Sequence, residues 1–301
     1  RGAAGALPRR FLSIHEYQAQ QLMRDAGINV PGGVDAGSPS EAASKYQELG
    51  MSLSLFSMIP HSPPPAPPPA SPGPPWPPRG TRQLTGIARF FCFPLARRAC
   101  SCQGRRRLAR SQGGVHFTSS AAETEKLAEQ MLGHNLITKQ TSAEGKKCNR
   151  VYLAEKVDIA KEFYVAILMD RSFNGPVIVA SAEGGTSIED VAEANPDAII
   201  KVPVDINEGL TQDKAAKLVA DLGISGDAAQ SAIDNLTKLY NLFIATDMTQ
   251  AEINPFVTLT DGSTMCADAK FNFDSNAKFR QADVFALEDE SQLDPRDVEA
   301  G

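Results

Sequence analysis

A short stretch, AEINPFVTLTDGSTMCADAK at 251–270, carries the side chains whose types and spacing are best suited to chemistry. It reads as two short strands around the turn Thr-Asp-Gly, which is typical of a β-hairpin. In a hairpin centred on Asp261, residues whose numbers sum to 522 face each other. One face is then apolar, while the other gathers two carboxylates, an amide and an amine. The polar pairs are Glu252 with Lys270 and Asn254 with Asp268.

The facing pair Asn254 and Asp268 has the chemistry of a magnesium site. Both side chains end in hard oxygens, and directly opposite residues on adjacent strands have Cβ atoms roughly 4.5–5.5 Å apart. Mg²⁺ commonly takes one or two protein oxygens and completes its shell with water and phosphate oxygens. However, a half-buried hairpin also has a solvated polar face, and Glu252 with Lys270 could be an ordinary cross-strand ion pair. A one-residue bulge would undo the pairing, so both interpretations stay open.

Two other stretches carry weaker signals of ligand binding. EGGTSIED at 183–190 sets two glycines before a helix N-terminus, an arrangement that can bind an anion. Glu155 and Glu162 flank the connection KVDIAK between two strands. A plain loop explains the first stretch equally well, and surface carboxylates explain the second.

Capping signals and hydrophobic periodicity predict an α+β or mixed α/β domain. SIHE at 13–16 reads as a capping box with Ser13 as N-cap, and SPSE at 38–41 repeats the signature with Pro39 at the first helical position. Further helices are predicted from Ser119 or Ser120 to Gly133, over TSIEDVAE, over 212–222 and over 227–246. Predicted strands are INVP, NRVYLAEKV, EFYVAILMD, PVIVASA and AIIKVPV.

Residues 51–112 differ in composition from the rest of the chain. They hold nine Arg but no Lys, Asp or Glu, together with 13 of the 21 prolines. Proline lacks the amide donor that helices and sheets need, so the Pro-rich part is predicted to be extended. PPWPPR at 74–79 matches a P-x-x-P-x-R ligand for a groove-binding module. Three of the five cysteines also lie here, and the other two are too few for a disulfide framework, which favours a reducing compartment.

Several stretches together resemble the β subunit of succinate–CoA ligase, an ATP-grasp enzyme. The resemblance covers 11–50, beginning FLSIHEYQAQQLMRDAGINVP, and continues over 113–301. Its most specific pieces there are LITKQT, DRSFNGPV, EGGTSIEDVA, IIKVP, KLYNLF, EINP and DAKFNFDSNAKFRQ. The resemblance implies an α+β chain with an ATP-grasp fold, which consists of two α/β subdomains. Residues 11–50 and 113–285 together would form this domain.

The resemblance assigns roles to the residues singled out above. It implies that Asn254 and Asp268 hold the Mg²⁺ of the nucleotide and that Glu252 is a catalytic residue toward the phosphate-transfer site. Backbone groups around Glu155 to Val157 would meet the base, and Glu162 would lie near the ribose.

The implied reaction converts succinate, CoA and ATP into succinyl-CoA, ADP and phosphate, with GTP and GDP left open as the nucleotide. The phosphoryl group would travel on a histidine of a partner α subunit, so none of the four histidines here needs a catalytic role. The resemblance implies that the protein is located in the mitochondrial matrix. The Arg-rich start, residues 1–10, suits a transit-peptide remnant or a disordered terminus. No membrane is expected as a partner, since no run of about 18 apolar residues exists. A nucleic acid is not expected as a partner either.

Two departures from the family pattern bear on activity. After Gly50 the family continues with a strand carrying a phosphate-contacting Lys and a loop G-G-R-G-K, and neither occurs within 51–112. We therefore expect weak nucleotide binding, a missing central strand and open neighbouring strand edges. Residues 51–112 would be translated intron or a gene-model error. Members of the family also continue beyond the position of Gly301 into a CoA-ligase domain. Residues 286–301 would be the start of the linker to that domain. The alternative function is a non-catalytic binding module that acts through the Pro/Arg-rich segment.

Overall fold

The computed structural model describes residues 11–49, 53–58, 115–136, 146–185 and 188–289. The expectations for residues 1–10, for the Pro-rich stretch and for the last residues of the chain therefore lie outside the described residues. Among the helices that are described, none is long and apolar enough to cross a membrane.

Helices and strands alternate irregularly along the described ranges, as expected for an α+β chain. The α-helices are α1 Glu16–Asp25, α2 Pro39–Leu49, α3 Ala121–Met131, α4 Ile188–Ala194, α5 Gln212–Asp221, α6 Asp227–Ala245 and α7 Ala282–Phe285. The strands are β1 Phe11–Ser13, β2 Gly33–Ala36, β3 Leu53–Met58, β4 Val115–Thr118, β5 Asn135–Leu136, β6 Lys146–Lys147, β7 Arg150–Glu155, β8 Ile159–Asp170, β9 Gly175–Ser181, β10 Ile200–Pro203, β11 Met248–Leu259, β12 Thr264–Cys266 and β13 Ala269–Asp274.

The larger sheet is antiparallel and carries the main hydrophobic core. Its strands follow the order β1-β13-β11-β8-β9-β10, and β12 pairs with β11. Valine, isoleucine and phenylalanine dominate the central strands and are buried there, including Val165, Ile167 and Phe256. Helices α1, α5 and α6 contribute to the same core. The helix predicted over 212–222 is confirmed as α5, and its Ala215, Leu218 and Val219, with Leu222 at the C-cap, are buried.

The smaller sheet has the order β2-β7-β3-β4 and packs against α2 and α3. Strand β3 lies between β7 and β4, with Leu55 registered against Leu153 on one side and His116 on the other. The expectation of a missing central strand with open neighbouring edges is therefore wrong. The beginning of 51–112, which alternates Leu and Ser before the prolines start, supplies backbone donors and acceptors to both neighbours.

Two local predictions near the start of the chain are wrong. Ser13 does not cap α1; it ends β1, where its backbone pairs with Asn272. The helix begins at Glu16 with His15 as N-cap, whose backbone N–H donates to Gln18 Oε1 at 2.8 Å. The stretch INVP is not a strand, because β2 starts later, at Gly33. At Ser13, pairing with a distant strand outweighed the local signal. In INVP, the Asn29 N–H donates to Asn235 Oδ1 and the Asn29 carbonyl accepts the Cys266 N–H, so this backbone is satisfied without a ladder.

The other capping predictions are confirmed. Ser38 Oγ accepts the Glu41 N–H ahead of α2, which has Pro39 as its first residue. Ser120 Oγ accepts the Glu123 N–H at the start of α3. These side chains satisfy amide groups that have no partner inside the first helical turn.

Candidate functional site

The hairpin at 251–270 has the register that its sequence predicts. Glu252 lies opposite Lys270, and the pairing of Phe256 with Cys266 keeps the same sum of residue numbers. Between these pairs the Asn254 N–H donates to the Asp268 carbonyl at 3.2 Å. Asn254 and Asp268 are therefore facing residues, as predicted.

The strands are irregular where these two residues lie. Residues 267–268 interrupt the returning strand between β12 and β13. On the other side, the register of β11 with β8 shifts between Ile253 and Phe256. The metal-ligand candidates thus lie at one of the breaks in the ladder, where a side chain is not confined to regular cross-strand packing.

Glu252 is not part of a solvated face, because its side chain is only 4% exposed. Gln250 Nε2 donates to Glu252 Oε2 at 3.2 Å, and Lys270 is its cross-strand neighbour. On α1, burial raises the pKa of Glu16, and Coulombic interactions with Lys270 and His15 oppose that shift. A buried carboxylate requires such polar neighbours, so the interpretation of this face as plain surface fails at Glu252.

The glycine pair of EGGTSIED folds onto this hairpin. The Gly185 N–H donates to Asn254 Oδ1 at 3.0 Å, and the Gly184 N–H donates to the Glu162 carbonyl at 3.3 Å. A Cβ on Gly184 would overlap the backbone of Glu162 and Phe163, and one on Gly185 would overlap the Glu162 carboxylate. Only glycine permits this approach, and at Gly185 the positive φ of +69° adds a second reason.

The connection between β7 and β8 lies near the tip of the same hairpin. Glu155 ends β7 and its N–H donates to the Gly32 carbonyl at 2.7 Å, while the Thr260 N–H donates to the Asp158 carbonyl at 3.1 Å. Val157 lies between these anchors and is half-buried. Glu162 falls inside β8, opposite Val257, rather than at the edge of the connection. The structure therefore brings Glu162 and Asn254 together through the glycine loop. The connection that holds Glu155 and Val157 is anchored to Gly32 at one end and, through Asp158, to Thr260 of the hairpin turn at the other.

The donor set fits magnesium. Within the described part of the chain no group of three or more His, Cys, Asp or Glu side chains could enclose a metal by itself. One amide oxygen and one carboxylate are what Mg²⁺ takes when phosphate and water complete its shell. Asn254 Oδ1 accepts the Gly185 N–H, so the glycine loop holds the amide oxygen of this candidate ligand in place.

Sequence reasoning missed Gln20 of α1 as a residue of this region. Its Nε2 donates to the Ala267 carbonyl at 3.1 Å, beside Asp268, and its side chain is 3% exposed. The spacing of Gln20 could have indicated this, because it lies three residues from both Tyr17 and Met23 and so shares a helix face with them. A polar residue at such a position needs an internal partner.

Comparisons with known proteins identify a family model and similar sequences. The family model of the ATP-grasp domain matches residues 98–258, beginning ahead of Gly113. Over 97% of the chain the sequence is 42% identical to the β subunit of ADP-forming mitochondrial succinate–CoA ligase from Oryza sativa subsp. japonica, of which it covers 60%. It is 39% identical, again over 97% of the chain, to the GDP-forming β subunit from Dictyostelium discoideum, of which it covers 61%.

Solved structures show the same fold at low sequence identity. ATP citrate lyase from Methanothrix soehngenii superposes with a TM-score of 0.58 at 14% identity, covering 92% of this chain and 54% of that one. The dinucleotide-forming acetyl-coenzyme A synthetase 1 of Ca. Korarchaeum cryptofilum gives 0.55 at 15% identity, covering 86% and 92%.

The chain thus spans about 60% of the length of the curated relatives it matches. The predicted α+β class and ATP-grasp fold are confirmed by the family model and by the two-sheet architecture. The chain belongs to the ATP-grasp domain family, and within that family its sequence resembles the β subunits of mitochondrial succinate–CoA ligase.

Proposed function

We propose that this chain binds a magnesium–nucleotide complex between the hairpin, the glycine loop and the β7–β8 connection. The observation that carries the proposal is the hydrogen bond from Gly185 to Asn254, because it joins two stretches whose sequences each carry a signal of ligand binding. Glu162 belongs to the same assembly, since its carbonyl accepts the Gly184 N–H.

In this proposal each group has a distinct task. Asn254 and Asp268 hold Mg²⁺, which when bound neutralises phosphate charge and orients the phosphoryl group. Backbone groups from Glu155 to Val157 meet the base, and Glu162 lies near the ribose. Glu252 acts toward the phosphate-transfer site, where its buried carboxylate is oriented by Gln250. Such a site works by fixed positioning and charge rather than by covalent chemistry of its own.

We further propose that the whole protein is the β subunit of a succinate–CoA ligase in the mitochondrial matrix. The relatives support this by name, and both ADP-forming and GDP-forming members occur among them. We infer adenine as the base, succinate and CoA as the other substrates, and an α subunit as the partner that supplies a phosphohistidine. Because residues 51–112 contain no Lys, we infer weak nucleotide binding and no ligase turnover by this chain, even with its α partner.

Titration calorimetry with the full chain tests the binding proposal. Mg-ADP should bind measurably, more tightly than Mg-GDP, and Asp268→Asn should weaken Mg-ADP binding at least about tenfold because the only charged oxygen of the pair is lost. Asn276→Ala is the matched control, since Asn276 bonds only locally to Asp274 at the surface. Absence of Mg-ADP binding by the unaltered chain, or an unchanged affinity in Asp268→Asn, would refute the site. Succinyl-CoA formation with the α subunit would refute the inference about turnover.

A further inference from the structure

A chain of two buried hydrogen bonds links the smaller sheet to the hairpin. The Tyr152 hydroxyl of β7 donates to Gln20 Oε1 at 2.6 Å. Gln20 Nε2 then donates to the Ala267 carbonyl at 3.1 Å. Tyr152 and Gln20 are both 3% exposed, so water does not compete strongly with either bond.

We call these two hydrogen bonds the relay. The chemistry of the three groups fixes which atom donates and which accepts in each bond. Burial raises the pKa of Tyr152 to about 12, so its hydroxyl remains protonated at neutral pH and can donate. The Ala267 carbonyl can only accept, so the NH₂ group of Gln20 must face it. This turns Gln20 Oε1 toward Tyr152, whose hydroxyl therefore donates. Each atom of the relay therefore has one consistent role.

The relay ends at the peptide that leads into Asp268. Ala267 and Asp268 form the interruption between β12 and β13. Because a peptide unit is planar, a bond that fixes the Ala267 carbonyl also fixes the plane from which the Cα of Asp268 departs. The Ala267 N–H donates to the Pro255 carbonyl at 3.1 Å, so Ala267 is held on both sides.

The smaller sheet leaves space for the hydroxyl. Gly33 of β2 lies two residues along from Asp35, the register partner of Tyr152. A Cβ on Gly33 would overlap the Tyr152 hydroxyl group. The glycine therefore lets the tyrosine reach across to α1, a packing arrangement that is independent of the hydrogen bonds themselves.

We propose that Tyr152 and Gln20 are positioning residues that set the orientation of Asp268 through the Ala267 peptide. They make the geometry of the metal-binding hairpin depend on where β7 lies. The inference rests on the proposed function for the role of Asp268, but the anchoring of the Ala267 peptide stands on its own contacts.

The experiment removes one oxygen atom from the relay in the full chain. Tyr152→Phe should weaken binding of Mn²⁺–ADP about fivefold, since a lost neutral hydrogen bond has a net worth of about 1 kcal/mol. Amide exchange of Ala267 and Asn254 should accelerate about fivefold in the same variant without ligand. Tyr240→Phe is the control, because the Tyr240 hydroxyl is buried without a hydrogen-bond partner among the described residues. It should leave both measurements unchanged.

Gln20→Glu provides a second variant if Tyr152→Phe does not fold. It keeps an acceptor for Tyr152 but sets a carboxylate oxygen against the Ala267 carbonyl, so the same loss of affinity and faster exchange are expected. A general loss of stability would not change the Mn²⁺–ADP affinity of the folded protein. Unchanged affinity and exchange in the folded variant overturn the inference. If the unaltered chain does not bind Mn²⁺–ADP, the proposed function fails; faster local exchange then still supports the anchoring of Ala267, and unchanged exchange refutes it.

Discussion

The Gly185 N–H and Asn254 Oδ1 are joined by a 3.0 Å hydrogen bond across 69 residues of sequence. The bond connects the glycine pair ahead of α4 with strand β11 of the hairpin at 251–270. It gives Asn254 two tasks, because the same amide oxygen that is the candidate ligand for Mg²⁺ also holds the loop in place. A substitution at either residue should therefore affect both the position of the loop and the candidate metal site.

Asn254→Ala should impair binding and local stability together. The Gly185 N–H would lose its acceptor, which costs about 1–3 kcal/mol if the group stays buried. Mg-ADP affinity should fall at least about tenfold, because one of two protein oxygens for the ion is lost. Calorimetry and urea denaturation measure the two effects. A variant that loses stability but keeps its affinity would remove Asn254 from the metal site.

Gly184→Ala should distort the approach of the loop to β8. Its new Cβ would overlap backbone atoms of Glu162 and Phe163, which cannot rotate away as a side chain can. We expect a loss of about 1–3 kcal/mol in the free energy of unfolding, as for overpacked sites. Gly37→Ala is the comparison, since the nearest atom to its Cβ would be Glu41 Oε2 at an ordinary 3.7 Å. Equal denaturation midpoints for the two variants would contradict this close contact.

Much of the candidate site could be predicted because it depends on local registers. The turn at Asp261 sets the pairing of Asn254 with Asp268 by counting alone, and the backbone bond between them agrees. The contact of Gly185 with Asn254 could not be predicted in that way. It depends on how β9 and β11 both pair with β8, which places distant segments side by side.

The wrong predictions for Ser13 and for strand β3 have a similar origin. Ser13 is a good N-cap by type, but its backbone pairs with Asn272 in β13, and sheet pairing satisfies more groups than a single cap. From the sequence, no central strand is expected within 51–112, because the composition of this segment as a whole differs from the family pattern. Its first residues nevertheless complete the ladder between β4 and β7. The composition of the whole segment does not reveal the alternation of Leu and Ser at its start.

Asn235→Ala should destabilise the hairpin from the side of α6. Asn235 is 2% exposed, accepts the Asn29 N–H at 3.0 Å and donates to Thr264 Oγ1 at 2.9 Å. Losing both contacts inside the core should lower the free energy of unfolding by about 2–4 kcal/mol. Gln230→Ala, on the exposed side of the same helix, should change it by less than about 0.5 kcal/mol. Thermal denaturation of both variants measures the difference, and similar melting temperatures would refute the structural role of Asn235.

Cys266 should be inert toward alkylation in the folded chain. Its side chain is fully buried, and burial raises the pKa of the thiol to about 12, so the reactive thiolate is scarce near neutral pH. Peptide mass spectrometry after brief iodoacetamide treatment should find Cys266 unmodified in buffer and alkylated in guanidinium. Rapid alkylation in buffer would show that the strand containing Cys266 opens readily.

Asp247→Asn should reduce stability at neutral pH but not in acid. Hydrogen bonds from Arg280 lower the pKa of Asp247 below its ordinary 3.8, with a further contribution from Gln281. Because the folded-state pKa is the lower one, the carboxylate stabilises the fold above the unfolded value, and this stabilisation is lost as pH falls through the folded value.

Asparagine suits this test because it tolerates the left-handed φ of +54° at position 247. Arg280 is about half exposed, so we expect a loss of less than about 1 kcal/mol at neutral pH. Urea denaturation should show this difference at neutral pH, and the difference should shrink as the buffer is brought below the ordinary aspartate pKa. Asp197→Asn, at an exposed position, controls for the change in net charge. A difference that persists unchanged in acid would show that the Arg280 contact does not depend on the charge of Asp247.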